Sequence, residues 1–292
     1  MEPAEHRSAA DVALTARSAI CLYIPRDGMG SATVLHEKDA DRPITPASIT
    51  KLLTAVTALR IADEKGIPYS AELAVSADDN AEGSGRNVRE GDRFAFRDVM
   101  ANLLLASSNV SANVIARTFG AILLEEEDAG WSPAPIERFL AEMNAVAGSL
   151  GMATSRFLNA HGLAIRGQRS TARDLSCLVR ECLSYPLIAE FWGMENHVIL
   201  IEGPNARKLP INSIFRASTL KAVPDFAIPQ FRGGKSGTLW PSVFNLAAVS
   251  ERADGDLIVS VTIGSPTLVD RYSDYLAMVE LGNAAPRLGN AT

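Results

Sequence analysis

The sequence of 292 residues contains only three cysteines and four histidines. Cys21, Cys177 and Cys182 are odd in number and stand among apolar neighbours, so we expect small buried side chains rather than a disulfide framework. The cysteines lack the spacing of a metal site, no two histidines stand four residues apart, and no H-E-x-x-H motif occurs. These residues therefore predict neither a metal nor a cofactor.

The sequence also lacks any excess of positive charge. Its formal net charge is -6, and no cluster of lysine and arginine marks a surface for nucleic acid or for an anionic membrane. No apolar run approaches the ~20 residues that span a bilayer. The N-terminus carries Glu2 and Glu5 where a secretory leader would be cationic, so either the chain stays in the cytoplasm or the sequence lacks its leader.

Apolar patterning predicts strands at both ends of the chain and helices between them. Residues 18–37 predict two strands, and Asp254-Gly255 is typical of the turn in a late hairpin. An amphipathic helix follows Pro266. The earlier predicted helices include residues 48–65, 136–150 and a segment that starts at Thr171 and continues until Pro186 ends it.

This order of elements predicts an α+β fold. We expect one antiparallel sheet built from both chain ends and flanked by helices, with a mostly helical insertion. Residues 1–292 would form a single domain, with the α/β part at about 1–75 and 200–292 and the helical part at about 76–199. The sequence gives no indication of the oligomeric state.

The segment GGKSGT, residues 233–238, looks at first like a phosphate-binding loop. That loop requires G-x-x-x-x-G-K-[ST] followed by a helix. The position of its first glycine is occupied by Pro229, and Pro241 would interrupt a helix after the motif. Lys235 therefore requires another explanation, such as a fixed positive charge near an anionic substrate group.

Ser48-Ile-Thr-Lys51 could supply a nucleophile and its base. Three residues apart at the start of a helix, the two side chains share a face, and a desolvated Lys51 could take a proton from Ser48. The alternative is an ordinary N-cap serine with a solvated lysine. The same spacing recurs at Ser218-Thr-Leu-Lys221, where no long amphipathic helix follows, so we interpret Ser218 as a loop or turn residue.

A third polar motif, Ser107-Ser-Asn109, interrupts two apolar helical runs. Its side chains could relay a proton and hold a substrate amide beside an activated serine. Alone, the motif would be a turn between helices. Ser111-Ala-Asn113 has the same spacing but falls inside the next predicted helix, so it is the second choice.

Together the three motifs are typical of penicillin-binding proteins and class A β-lactamases. From about residue 18 to 282 the chain resembles the low-molecular-weight penicillin-binding proteins that are serine D-alanyl-D-alanine carboxypeptidases. The segments that carry the resemblance are TPASITKLLTA, REGDRFAFRDVMANLLLASSNVSANVIA, FLNAHGL, STARDLSCLV and FRGGKSGT. The resemblance implies a β-lactamase/transpeptidase-like fold without the C-terminal β-domain of some members.

The resemblance also implies a role for each matching residue. Ser48 would be the acylated nucleophile, Lys51 its general base, and Ser107 and Asn109 the partners in proton transfer and substrate positioning. The segment Lys235, Ser236, Gly237 and Thr238 would hold the terminal carboxylate of a D-Ala-D-Ala peptide, and the N–H groups of Ser48 and Thr238 would form the oxyanion hole. The implied ligands are peptidoglycan stem peptides and β-lactams, in a periplasmic or other extracytoplasmic location.

Several departures from the family pattern leave alternatives open. Ser108, Val110 and Ser236 are unusual at their motif positions, and residues 239–245 (LWPSVFN) replace a small-residue continuation. A class A β-lactamase would need a glutamate in E-x-x-L-N, for which Glu137 is the nearest match. A non-catalytic penicillin-recognising or sensor domain is the other alternative. No G-x-S-x-G motif supports a Ser-His-Asp hydrolase, and His161 is interpreted as a structural loop residue.

Overall fold

The computed structural model describes residues 12–26, 31–125, 134–217 and 230–287. Its main sheet contains β1 (Ser18–Ile24), β2 (Thr33–Lys38), β7 (Phe231–Leu239), β8 (Val243–Glu251) and β9 (Leu257–Ser265). The five strands lie in the order β2-β1-β9-β8-β7, and every neighbouring pair is antiparallel. Both chain ends contribute strands, so the predicted sheet is confirmed.

The two faces of the sheet are covered by different helices. The α-helices of the described residues, not all of which contact the sheet, are α1 (Thr50–Lys65), α2 (Phe96–Leu104), α3 (Asn109–Leu124), α4 (Pro135–Ser149), α5 (Ala172–Cys182), α6 (Pro186–Trp192), α7 (Ile214–Ala217) and α8 (Leu268–Ala284). Side chains alternate across a strand, so Ile20 faces the core shared with α1 and α5, whereas Cys21 faces α8. Because both faces are covered, every residue of β1 is buried.

Helix α1 lies in the interior of the molecule. Twelve of its residues are buried, including Lys51, which explains why its apolar side is so broad. The helix ends at Gly66, whose φ of 65° is the left-handed conformation that glycine adopts at low cost. Within the described ranges, no helix combines the length and the apolar character needed to cross a membrane.

Two small hairpins were not predicted from the sequence. The first pairs β3 (Glu72–Ala74) with β4 (Arg93–Ala95), and the second pairs β5 (Asn196–Ile201) with β6 (Arg207–Asn212). The strands of the first hairpin are too short to show an alternating pattern. The second has a partly exposed apolar face, with Val198 and Leu200 about half exposed, so its alternation is weak.

The helix that begins after Thr171 differs from the prediction at its end. Its start is confirmed, since the Thr171 side chain accepts a hydrogen bond from the Asp174 N–H at 3.0 Å. The helix ends at Cys182, and Pro186 instead occupies the first position of α6. Proline is favoured there because its missing N–H would have no partner in a first turn.

Candidate active site

Ser48 and Lys51 meet where a 3-10 turn, Ala47–Ile49, leads into α1. The Nζ of Lys51 lies 3.0 Å from the Oγ of Ser48. The cap position of α1 is Ile49, and no side chain caps the helix there. Ser48 is half-buried and Lys51 is fully buried. The alternative of an N-cap serine beside a solvated lysine is therefore wrong.

Lys51 is held by oxygen atoms of three residues, two of which come from other parts of the chain. Besides Ser48, its Nζ donates to the Oδ1 of Asn109 at 2.7 Å and to the carbonyl oxygen of His161 at 2.6 Å. Burial, followed by the charge of Lys235, lowers the pKa of Lys51 well below its ordinary value. A lysine in this state can be neutral and can accept a proton from an adjacent hydroxyl.

Ser107 and Asn109 come from the connection between α2 and α3. Asn109 is the first residue of α3, and the Ser108 side chain caps that helix by accepting from the Ser111 N–H at 3.2 Å. Ser107 has a φ of 56°, a left-handed conformation that is uncommon for serine. Ala47, which precedes Ser48, is also left-handed, with a φ of 50°. Strain of this kind concentrates at functional sites.

The loop at residues 82–87 packs against this connection. The Ser84 Oγ donates to the Ser107 carbonyl at 2.9 Å, and the Ser84 carbonyl accepts from the Asn109 N–H at 3.0 Å. Gly85 has a φ of 67°, and a Cβ there would lie 2.2 Å from the Cα of Ser108. Only glycine permits so close an approach, so Gly85 determines how the loop meets the motif.

The competing motif, Ser111 and Asn113, does not line the cleft. The Ser111 Oγ accepts from the Asn102 side chain at 2.9 Å inside the helical part. The Asn113 side chain donates to the Asp79 carbonyl at 3.3 Å. Both polar groups therefore serve internal contacts. The other duplicate motif, Ser218 and Lys221, lies outside the described residues.

GGKSGT lies within β7, the edge strand of the main sheet, and not in a loop before a helix. A Cβ on Gly237 would lie 2.7 Å from the Pro46 carbonyl and 3.1 Å from the Ser48 nitrogen, so this glycine lets β7 approach the Ser48 turn. Lys235 is fully buried, and its Nζ donates to the Ser236 carbonyl at 2.9 Å. Burial and the charge of Arg271 lower the pKa of Lys235 to about 7.

The three motifs converge on one cleft of about 580 Å³. It is lined by Ser48, Gly83, Ser84, Ser107, Asn109, Gly162, Leu163, Ile214, Ser236, Thr238, Leu239, Trp240, Phe244, Leu268 and Arg271. Lys51 and Lys235 are buried behind this lining, and Lys51 reaches it through Ser48 and Asn109. The cleft thus joins hydroxyl and amide groups to two buried amines.

Arg271, on α8, was not identified from the sequence. It is 4% exposed, lines the cleft, and donates to the Thr238 Oγ1 at 3.2 Å. Among the residues that line the described cleft, it is the only charged one. Together with Lys235, it creates a positive site that favours an anion. The sequence signal that could have identified Arg271 is a lone arginine on the apolar side of the helix predicted after Pro266.

His161 contributes more than the structural loop position predicted for it. Its carbonyl oxygen accepts from Lys51 at 2.6 Å, and its Nδ1 accepts from the Leu163 N–H at 3.2 Å. Burial and the charge of Lys51 lower the pKa of His161 to about 4. The neutral ring adds no charge to the site at neutral pH. The contact between the His161 carbonyl and Lys51 could not be predicted from the residue type.

We expect Gly162→Ala to disturb both stability and the Ser48 turn. Gly162 has a φ of 92°, and a Cβ there would lie 1.9 Å from the Ala47 carbonyl oxygen. The substitution should lower the free energy of unfolding by about 2–4 kcal/mol, measured by urea denaturation. Gly148→Ala is the control, since a Cβ at that helical position meets nothing within 4 Å. It should raise stability by up to about 1 kcal/mol. Equal changes in the free energy of unfolding for the two variants would contradict the close approach of Gly162 to the Ala47 carbonyl.

Among the described residues, no group of three or more His, Cys, Asp and Glu side chains could hold a metal ion. Glu137, the nearest sequence match to a β-lactamase glutamate, is exposed at the start of α4. Its carboxylate accepts from the Ala134 N–H at 3.3 Å and does not line the cleft.

The chain is similar in sequence to several known proteins. A family model described as D-alanyl-D-alanine carboxypeptidase matches residues 5–265. The chain is 30% identical over 174 residues to a D-alanyl-D-alanine endopeptidase of Pseudomonas aeruginosa, covering 59% of this chain and 50% of that protein. It is 31% identical over 238 residues to the D-alanyl-D-alanine carboxypeptidase DacB2 of Mycobacterium tuberculosis, covering 81% of this chain and 72% of that protein.

A solved structure shares the fold. The Streptomyces K15 DD-transpeptidase superposes with a TM-score of 0.77 and 19% identity, covering 94% of this chain and 98% of that chain. The chain spans about half the length of the curated relatives it matches, as with 50% of the Pseudomonas protein and 43% of DacF of Bacillus subtilis. Since the family model covers most of the sequence, the chain belongs to the D-alanyl-D-alanine carboxypeptidase family.

Proposed function

We propose that this protein is a serine hydrolase that removes the terminal D-Ala from D-Ala-D-Ala stem peptides of peptidoglycan through an acyl-enzyme on Ser48. The observation that carries the proposal is the 3.0 Å contact between the Ser48 hydroxyl and the fully buried Lys51 amine. A serine without such a base is a weak nucleophile at neutral pH. The ligands would be stem peptides and β-lactams, met in an extracytoplasmic compartment.

In the first half of the reaction, neutral Lys51 takes the proton of Ser48, and the Oγ attacks the carbonyl carbon of the penultimate D-Ala. The N–H groups of Ser48 and Thr238 face the developing oxyanion in this proposal. Support comes from the approach of β7, where a Cβ on Gly237 would lie 3.1 Å from the Ser48 nitrogen. One donor in such a site contributes about 3 kcal/mol to transition-state stabilisation.

In the second half, the amide bond breaks and the D-Ala amine leaves with a proton. Ser107, which lines the cleft, and Lys51, which contacts the Ser48 hydroxyl, would return that proton. Water then attacks the ester, Ser48 regains its proton, and the shortened peptide leaves with a new carboxylate. Asn109 also offers its side chain to the substrate amide.

The terminal carboxylate of the peptide would bind at the cationic end of the cleft. Lys235 and Arg271 supply charge there, while Ser236 and Thr238 supply hydroxyl donors. A β-lactam carries a carboxylate at a similar distance from its reactive carbonyl, so the same groups would orient it. The cleft takes residues from both the sheet and the helical part, which supports a single catalytic unit.

The β-lactamase alternative is less well supported. None of the residues that line the described cleft is a carboxylate that could activate water for rapid deacylation. Glu137 cannot fill this role from its exposed position at the start of α4. The proposal therefore predicts a penicilloyl-enzyme that hydrolyses slowly.

A release assay tests the proposed function. A tripeptide ending in D-Ala-D-Ala should yield free D-Ala on incubation with the protein, and the same peptide ending in L-Ala should not. Hydrolysis of a penicillin faster than release of D-Ala would support the β-lactamase instead. Stable acylation with no D-Ala release would support the sensor domain.

The pKa of Lys235 predicts a pH dependence. Below a pH of about 7 the Lys235 amine of the free enzyme is charged and attracts the substrate carboxylate. Above that pH the charge is lost. The kcat/KM should therefore fall several-fold from about pH 7 to about pH 9, because this ratio reports groups in the free enzyme. A bound substrate carboxylate favours the charged form of Lys235 and so raises its pKa. The corresponding decline in kcat should therefore occur at a higher pH than the decline in kcat/KM. Identical limbs in both profiles would contradict this assignment.

A further inference from the structure

An apolar hollow adjoins the cleft at its cationic end. We define the apolar hollow by Trp240, Pro241, Phe244, Pro266, Leu268 and Val269, which enclose about 290 Å³ together with Thr267. Trp240, Phe244 and Leu268 line the cleft as well as the hollow. The two spaces therefore adjoin each other along these three side chains.

Trp240 is exposed to solvent and contacts one buried aromatic ring. Its side chain is 78% exposed, the largest exposure among the large apolar residues described. Its ring meets that of buried Phe244 edge to face, with centroids 5.2 Å apart and planes at 84°. Such aromatic pairs hold a preferred geometry. Val269, which also lines the hollow, is 51% exposed. An exposed apolar surface beside a cleft is typical of a ligand-binding surface.

The position of the hollow relates it to one end of the substrate. Leu268 and Arg271 are three residues apart on α8, so their side chains share a face of the helix. Arg271 contacts Thr238, and Trp240 follows Thr238 by two residues. The hollow thus borders the groups assigned to the terminal carboxylate. The apolar part of a peptide nearest to that carboxylate is the side chain of its last residue.

We propose that the apolar hollow binds the side chain of the terminal D-residue, so that this enzyme accepts stem peptides ending in an apolar D-residue larger than alanine. The inference rests on the proposed function. Water cleaves the same amide bond, which yields a free D-amino acid and a peptide with a new carboxylate. A methyl group fills little of a space of about 290 Å³, whereas a leucyl side chain would fill more of it.

The test compares two tripeptides that differ only in their last residue, D-Ala or D-Leu. The measured quantity is the ratio of kcat/KM for the D-Leu peptide to that for the D-Ala peptide, from the release of the terminal amino acid. We expect a wild-type ratio of about one or more, and a roughly tenfold lower ratio in Trp240→Ala, as apolar pockets discriminate on this scale. Val269→Ser should lower the ratio in the same direction.

Leu200→Ala is the matched control, since Leu200 is 55% exposed on β5 and does not line the hollow. Its ratio should equal that of the wild type. A wild-type ratio below about one tenth, or an equal loss for both peptides in the Trp240 and Val269 variants, would overturn the inference. If Trp240→Ala does not fold, Val269→Ser decides. Failure of the wild type to release D-Ala would instead overturn the proposed function, and this inference with it.

Discussion

Ser48→Ala should slow the release of D-Ala by about 10⁴-fold or more, the scale on which serine hydrolases lose activity without their nucleophile. The reason is that Ser48 is the hydroxyl in contact with the buried amine of Lys51, at 3.0 Å. The measurement is the steady-state rate with a D-Ala-D-Ala tripeptide. Labelling by a fluorescent penicillin should disappear in the same variant, because the acyl bond has no atom to form on.

Ser218→Ala provides the matched control for that experiment, since Ser218 begins the second S-x-x-K motif of the chain. It should retain both D-Ala release and labelling. A denaturation curve for each variant separates loss of chemistry from loss of fold. If the Ser48 variant were labelled and the Ser218 variant were not, the nucleophile would have been assigned to the wrong motif.

Lys51→Met should reduce the rate of acylation by a penicillin by about 10²–10⁴-fold, the usual contribution of a general base. Methionine has a similar length and remains apolar at a fully buried position, but it has no amine to accept the Ser48 proton. The second-order rate of fluorescent labelling measures the effect. The loss should persist at high pH, since no titration restores the missing amine.

Lys65→Met, at the other end of α1, is the control for removing a lysine from that helix. Its labelling rate should equal that of the wild type. A labelling rate in Lys51→Met within about twofold of the wild type would show that another group activates Ser48, because general bases contribute far more than that.

The parts of the fold that could be predicted are those with a strong periodic pattern. The turn at Asp254-Gly255 lies between β8 and β9 as expected, because its flanking strands are long and buried. The hairpin of β5 and β6 was missed because Val198 and Leu200 are exposed, which removes the contrast between its faces. The sequence predicts the end of a helix at Pro186, although a proline also suits the start of the next helix.

The candidate site was predictable where chemistry depends on residue type and spacing along one element. Ser48 and Lys51 lie one turn apart, so their contact follows from helix geometry. Arg271 could not be assigned, because its approach to Thr238 depends on how α8 packs on the main sheet. The contact between the His161 carbonyl and Lys51 could not be predicted either. Every residue has a carbonyl group, and only the fold brings this one within 2.6 Å of the Lys51 amine.

Acylation of Ser48 is tested most directly by locating the penicillin adduct with peptide mass spectrometry. The protein is treated with a penicillin, quenched, digested and searched for the mass of the acyl group. We expect the adduct on the peptide that contains Ser48, and none there in Lys51→Met over the same short exposure. An adduct on a different serine, or undiminished modification of Ser48 without the amine, would contradict the central claim.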